Sequence, residues 1–233
     1  MRMYPEGFLA GGPVPLQRVS TVDAVVIALR QEVFDGHLPL GQVLREGALC
    51  DRFGVSRHSL RMALSALAHE GVLRHEPNRG VFVRTLTEAE IADCFRMRRL
   101  LELQAVETIC GDKPALMGAR RAVEQMVQST QQRSPWTAVR EFDVAFHSAL
   151  VDALGSRHMT NAYQSLLVEL RLCFLVEGFK DKDQAHVAQD HLDLLEALDS
   201  GNLAHATRLL SEHMTTSEQD AIAALRSYTD LSN

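Results

Sequence analysis

Between Gly71 and Val83 the hydrophobic period changes, and no other feature of the chain constrains its fold more. Upstream, Leu60, Ala63, Leu64 and Leu67 recur at helical spacing along "VSRHSLRMALSALAHE". Downstream, "VLRHE" and "VFVRT" alternate or run in β-rich residues around "PNRG", the pattern of a β-hairpin. After Leu86 only helical patterns follow. A hairpin placed once in an otherwise helical chain marks a junction between two modules.

The segments before the hairpin give its context. Residues 20–35 read as a helix with a Ser or Thr N-cap, ending before Gly36. "GHLPLGQ" is a loop, "REGALCDRF" a short helix closed by Gly54, and the third helix starts at the N-cap candidate Ser56 and runs to Gly71. Helix, helix, tight turn, helix and hairpin is the order of a winged helix-turn-helix. Beyond it, helices are expected near 87–110, 114–130, 135–154, 158–177, 184–199 and 202–227, broken at Gly111 to Pro114, Ser134-Pro135, Gly155, Gly178 and Gly201. Six helices joined by short loops make an antiparallel bundle. The expected fold is mainly α: a flexible arm over 1–16, a winged helix-turn-helix over 17–85 and an all-α six-helix bundle over 86–233.

Charge divides the chain in the same way. The net charge is −6. Residues 14–86 hold nine Arg against seven Asp or Glu, whereas 87–233 hold 14 basic and 22 acidic side chains. A mildly basic first module and an acidic second one point to different partners. No apolar run approaches the roughly 20 residues of a membrane span, and "MRMYPEGFLAGGPVPLQ" reads as a loose arm rather than a secretory signal. Cys50, Cys94, Cys110 and Cys173 are scattered without a CxxC. A reduced, cytoplasmic protein with cysteines as small core residues is expected.

Within "DRFGVSRHSLRMAL", Gly54 permits the sharp turn and Ser56 caps a helix whose first turns carry Arg57, His58, Ser59 and Arg61. Those are the positions from which a recognition helix reaches base edges or phosphates. No acidic residue occurs from Arg52 to His69. At the hairpin tip, Asn78 and Gly80 tolerate positive φ and Arg79 is placed to enter a minor groove. A solvated arginine surface explains any one of these residues, but not the ordered set.

These residues carry a resemblance. "LREGALCDRFGVSRHSLRMALSALAHEGVLRHEPNRGVFV", residues 44–83, resembles the amino-terminal domain of GntR-family bacterial transcription regulators, through "RFGVSR", "LR.AL..L..EG" and "RG.FV". The helical remainder resembles the FCD effector domain of the FadR subfamily. The resemblance implies a homodimer on a short palindromic operator, with DNA affinity set by a small molecule, and gives roles to Arg57, Arg61 and Gly80. Some members carry an Arg early in the second helix where this chain has Gly47. Either that contact is missing or Arg45 replaces it.

Polar residues interrupt the apolar stripes of the second module. Asp143 and His147 share the stripe of Val139, Phe146, Leu150 and Leu154. His191 is centred among Val187, Ala188, Leu194, Leu195 and Leu198, and His213 lies with Ala206, Leu209, Leu210, Ala221 and Ala224. His186 and His205, by contrast, sit among polar residues. One core histidine bonded to a carbonyl explains each alone, and Asp143 and His147 can bond each other. Together, three His and one Asp lose their burial cost by binding a divalent metal, with Zn²⁺, Ni²⁺, Mn²⁺ and Fe²⁺ all suited. The FCD resemblance implies the same set: Asp and His four apart on one helix, then a His on each of two later helices.

Arg98 lies on the stripe of Ile91, Cys94, Phe95, Leu101, Ala105 and Ile109, with Glu102 one turn on. It is either half of a structural ion pair or, beside an open metal, a receptor for a small carboxylate. The resemblance also makes Arg98 an effector contact. Glu102 and Arg171 complete the candidate effector set. Met97, Leu100 and Leu103 give this helix a second apolar side suited to an interface. A metal-dependent hydrolase is the rival reading, disfavoured by the lack of HExxH or a nucleophile motif. A ligand-free helical scaffold is the third.

Overall fold

In the computed structural model, residues 20–176 and 183–232 are described. The expected arm over 1–16 lies outside them. Helix α1 (Thr21–Phe34) begins where the sequence gives a reciprocal cap: the Ser20 hydroxyl accepts from the Asp23 amide at 3.1 Å, and the Asp23 carboxylate accepts from the Ser20 amide. Helix α2 (Glu46–Phe53) ends at Gly54, whose φ of 63° is the left-handed turn that a Cβ would strain. Helix α3 (Arg57–His69) starts at Ser56, whose hydroxyl accepts from the Ser59 amide at 3.1 Å.

Strands β2 (Leu73–Glu76) and β3 (Gly80–Val83) form the expected hairpin. The residues before α2 add a strand not expected from the sequence: β1 (Val43–Leu44) pairs antiparallel with β3, so the sheet order is β1-β3-β2. Two residues beside Gly and Pro carry too little pattern to announce a strand. Val25, Leu29, Leu60, Leu64, Leu67, Leu73 and Val83 fill the core between α1, α3 and the sheet.

Six helices follow: α4 (Glu88–Ile109), α5 (Met117–Gln131), α6 (Trp136–Asp152), α7 (Arg157–Val176), α8 (Gln184–Asp199) and α9 (Leu203–Ser232). All six agree with the expected set, α9 running five residues past its expected end at 227. Helix α4 opens on a second reciprocal cap, Thr87 with Glu90. It is flanked by α6, α7 and α9, while α5 packs on α6 and α8. Cys94 and Cys173 are buried in this body, whereas Cys50 and Cys110 are half-buried.

Arg84, Tyr228 and Arg171 tie the two modules. Arg84, just past β3, bonds Glu90 of α4 at 2.8 Å and Glu169 of α7 at 3.0 Å. The Tyr228 hydroxyl on α9 donates to the Leu40 carbonyl at 2.8 Å. The Arg171 guanidinium of α7 stacks over the Phe34 ring of α1, 5.6 Å from its centroid.

Candidate metal centre and nucleic-acid interface

Helices α6, α8 and α9 bring Asp143, His147, His191 and His213 together, with one ligand atom of each inside a 4.8 Å cluster. Among the described residues it is the one group of three or more such ligand atoms near enough to share an ion. His147 Nε2 lies 3.2 Å from His213 Nε2 and 3.3 Å from His191 Nε2, and His191 Nε2 lies 3.1 Å from the Asp143 carboxylate. Ligands about 2.0–2.1 Å from a tetrahedral Zn²⁺ stand roughly 3.3 Å from each other. The donor set fits a divalent ion on spacing alone.

The tautomers make the fit stricter. His147 Nδ1 is 2.6 Å from the Glu102 carboxylate, and His191 Nδ1 is 2.7 Å from the Val187 carbonyl. Both partners only accept, so each Nδ1 carries a proton. In the neutral rings both Nε2 atoms then present lone pairs to one another. Either a cation between them or a proton on one ring relieves that contact. A proton on His191 satisfies Asp143, and a proton on His213 Nε2 would satisfy His147; a metal ion would satisfy all four groups at once.

Electrostatics follow the same geometry. Burial raises the Asp143 carboxyl, but the His191 bond and the surrounding imidazoles outweigh it and hold it well below the carboxylate range. Burial likewise opposes Glu102, yet Arg98 and His147 hold its carboxyl at about 2. For His191, burial is outweighed by the Asp143 bond and the imidazole is raised. His213 is held well below its ordinary value by burial and by His191 and His147, which keeps it neutral.

Around the cluster runs a buried chain of bonds. Arg98 is 1% exposed and Glu102 0%. The Glu102 carboxylate accepts from Arg98 Nε at 2.9 Å and from the Tyr163 hydroxyl at 2.8 Å, besides meeting His147. Arg98 Nη2 is buried with no hydrogen-bond partner. A cavity of about 370 Å³ lies between α8 and α9, with His191 and His213 in its wall and Asp190, Asp193 and Glu212 nearby.

The sequence-predicted effector residues therefore separate. Arg98 faces the field of Asp143 and keeps an unused donor. Glu102 has three partners and is occupied by the site's own scaffold. Arg171 lies elsewhere: its guanidinium bonds Glu141 at 2.8 and 3.1 Å and stacks on Phe34, at the junction with α1. Its helical position adjoins the buried stripe of α7, and Glu141 of α6 and Phe34 of α1 hold its guanidinium. Tyr163 escaped the sequence reading, because a tyrosine on the stripe of Leu167 and Leu170 looks like any core aromatic.

On the first module, Arg45, Arg57, His58, Arg61, Arg79 and Gly80 are all exposed, and Ser59 is half-buried against its cap. Arg61 Nε bonds Glu46 at 2.9 Å, an acidic neighbour brought from α2 that the run 52–69 does not contain. Arg79 sits at the wing tip, between Asn78 at φ 62° and Gly80 at φ 105°. Its guanidinium bonds Glu76 and lies over Phe82. Arg45 precedes α2 without capping it, and a Cβ on Gly47 would meet nothing within 4 Å.

Residues 21–83 match the model of bacterial regulatory proteins of the gntR family, and residues 93–216 match the FCD domain. The chain is a gntR-family regulator with an FCD domain. The regulator is 30% identical over 156 residues to the gluconate operon transcriptional repressor of Bacillus subtilis, covering 65% of this chain and 62% of that one. It is 24% identical to YdhC, an HTH-type transcriptional regulator of the same organism, over 79% of this chain and 84% of YdhC. A GntR transcriptional regulator of Rhodococcus sp. RHA1 superposes with a TM-score of 0.77 at 29% identity, over 87% of this chain and 98% of that one. The family and these relatives regulate transcription and are not enzymes, so the hydrolase reading ends here. Among the described residues no helix is long and apolar enough to cross a membrane.

Proposed function

We propose that this regulator is a cytoplasmic repressor whose operator affinity is set by a small carboxylate received at a metal-loaded FCD site. Asp143, His147, His191 and His213 would hold the ion, which supplies a Lewis-acidic anchor for one carboxylate oxygen. Arg98 carries the reading: it is buried, its Nε is committed to Glu102, and its Nη2 is a donor with no partner. A buried N–H without an acceptor costs about 1–3 kcal/mol, and an effector carboxylate would relieve that cost. The repressor assignment is supported by the gluconate operon relative, itself named a repressor.

A homodimer on a palindromic operator is part of the same proposal. The second apolar side of α4 supports it: Leu100 is 66% exposed, with Met97 and half-buried Leu103 beside it. Two copies would present two α3 helices to successive major grooves, with Arg57 and Arg61 reading and Arg79 of the wing clamping. The effector acts by population shift: it binds one arrangement of the dimer better and so lowers the population that fits DNA.

Gel shifts on the regulator's own promoter region test this, with the zinc-loaded protein and a panel of gluconate, lactate and citrate. Release of DNA by one acid in wild type, and no release in Arg98→Ala, is expected. Equal release in both would remove Arg98 from the effector site.

A further inference from the structure

Glu102 is placed to do something other than bind an effector. It is 0% exposed on α4, and its two oxygens face different ways. Oε2 meets His147 Nδ1 at 2.6 Å; Oε1 takes the Arg98 Nε–H at 2.9 Å and the Tyr163 hydroxyl at 2.8 Å. An imidazole alone can offer either nitrogen to an ion. A carboxylate fixed on Nδ1 removes that choice, and it also makes the ring a stronger donor through Nε2. His191 gets the same service from a backbone carbonyl, which sequence variation cannot remove. For His147 the service comes from one side chain, held by residues of two further positions on α4 and α7.

We infer that Glu102 is the positioning residue of the metal site, fixing His147 as an Nε2 ligand, and that Arg98 and Tyr163 hold Glu102 for that task. The inference rests on the metal site proposed above. It also gives Arg98 two tasks on separate nitrogens: Nε anchors the ligand-orienting carboxylate, while the buried Nη2, which has no hydrogen-bond partner, is left for the effector. Metal and effector affinity are then linked through a single guanidinium, and linkage requires the influence to run both ways.

Zinc is the probe, and the full-length chain is used. Competition against a chromophoric chelator gives the affinity of wild type, Glu102→Gln and Tyr163→Phe. Removing an outer partner of a ligating histidine lowers metal affinity about 10–100-fold, the fall expected for Glu102→Gln. Tyr163→Phe deletes one bond to Glu102 without changing charge, and a fall of about two- to tenfold is expected, the span of one hydrogen bond. Long-range ¹⁵N–¹H spectra of zinc-loaded wild type should show His147 bound through Nε2, with a downfield Nδ1 proton. In Glu102→Gln a share of His147 should bind through Nδ1 instead, a change of ligating nitrogen that a purely structural role for Glu102 would not produce. A folded Glu102→Gln within twofold of wild type, or His147 bound through Nδ1, overturns the inference while the metal site stands. Wild type that takes up no zinc overturns both. If Glu102→Gln does not fold, Tyr163→Phe and the wild-type spectrum decide.

Discussion

The winged head and the helical body use the same residue types in opposite ways. On the head, Arg45, Arg57, Arg61 and Arg79 stand in solvent, loosely tied to Glu46 or Glu76 where they are tied at all. In the body, Arg98, Glu102, Asp143, His147 and His191 are buried, and each answers to a specific partner. An exposed arginine loses little by waiting for a phosphate, because water satisfies it in the meantime. A buried polar group has no such fallback, so its geometry must be completed by neighbours or by a ligand. The head thus suits a partner that arrives as a surface; the body, on the function proposed above, suits one that arrives as a small ion and its companion.

Predictions follow from trying to break that contrast. The largest effect belongs to the buried set. His191→Ala should take bound zinc from one per chain to none, read by elemental analysis after dialysis. Metal at a thousand times its Kd adds about 4 kcal/mol of stability, and the variant should forfeit that gain in a thermal melt. Its DNA-binding head should keep its fold. On the exposed side, Arg57→Ala should weaken operator binding by about 1–3 kcal/mol if the side chain reads a base, with zinc content unchanged in the same preparation. Gly47→Arg should have a smaller effect of opposite sign. Open space surrounds that position, helix propensity improves by up to about 1 kcal/mol, and an added phosphate contact would steepen the salt dependence of binding. Smallest of all, Arg171→Ala should leave zinc and carboxylate affinity unmoved in titration calorimetry, because the residue serves the junction with α1.

The contrast also governs how much was legible in the sequence. Polar residues on apolar stripes are conspicuous, so Asp143, His147, His191 and His213 could be read before any coordinates. Arg98 and Glu102 were legible as a pair, being one helical turn apart. The bond from Glu102 to His147 was not, since it joins positions 45 residues apart on different helices. Tyr163 and Glu46 were missed for the same reason, as were the partners of Arg171, Glu141 and Phe34. Periodicity reports which way a side chain leaves its own helix; it does not report what another helix brings to meet it. The helices themselves were fixed by local signals, caps at Ser20, Ser56 and Thr87 and breaks at Gly54 and Gly201. Strand β1 lacked such signals and exists because β3 offers it an edge.

The central claim is that the buried site, when loaded with metal, governs the exposed head. The most direct measurement is fluorescence anisotropy of labelled promoter DNA, titrated with the regulator in two forms, zinc-loaded and chelator-stripped, each with and without the acid that releases DNA in gel shifts. The account predicts that the acid weakens DNA binding at least roughly fivefold in the loaded form, the lower end of allosteric couplings, and leaves the stripped form unaffected. An equal response in both forms would contradict it.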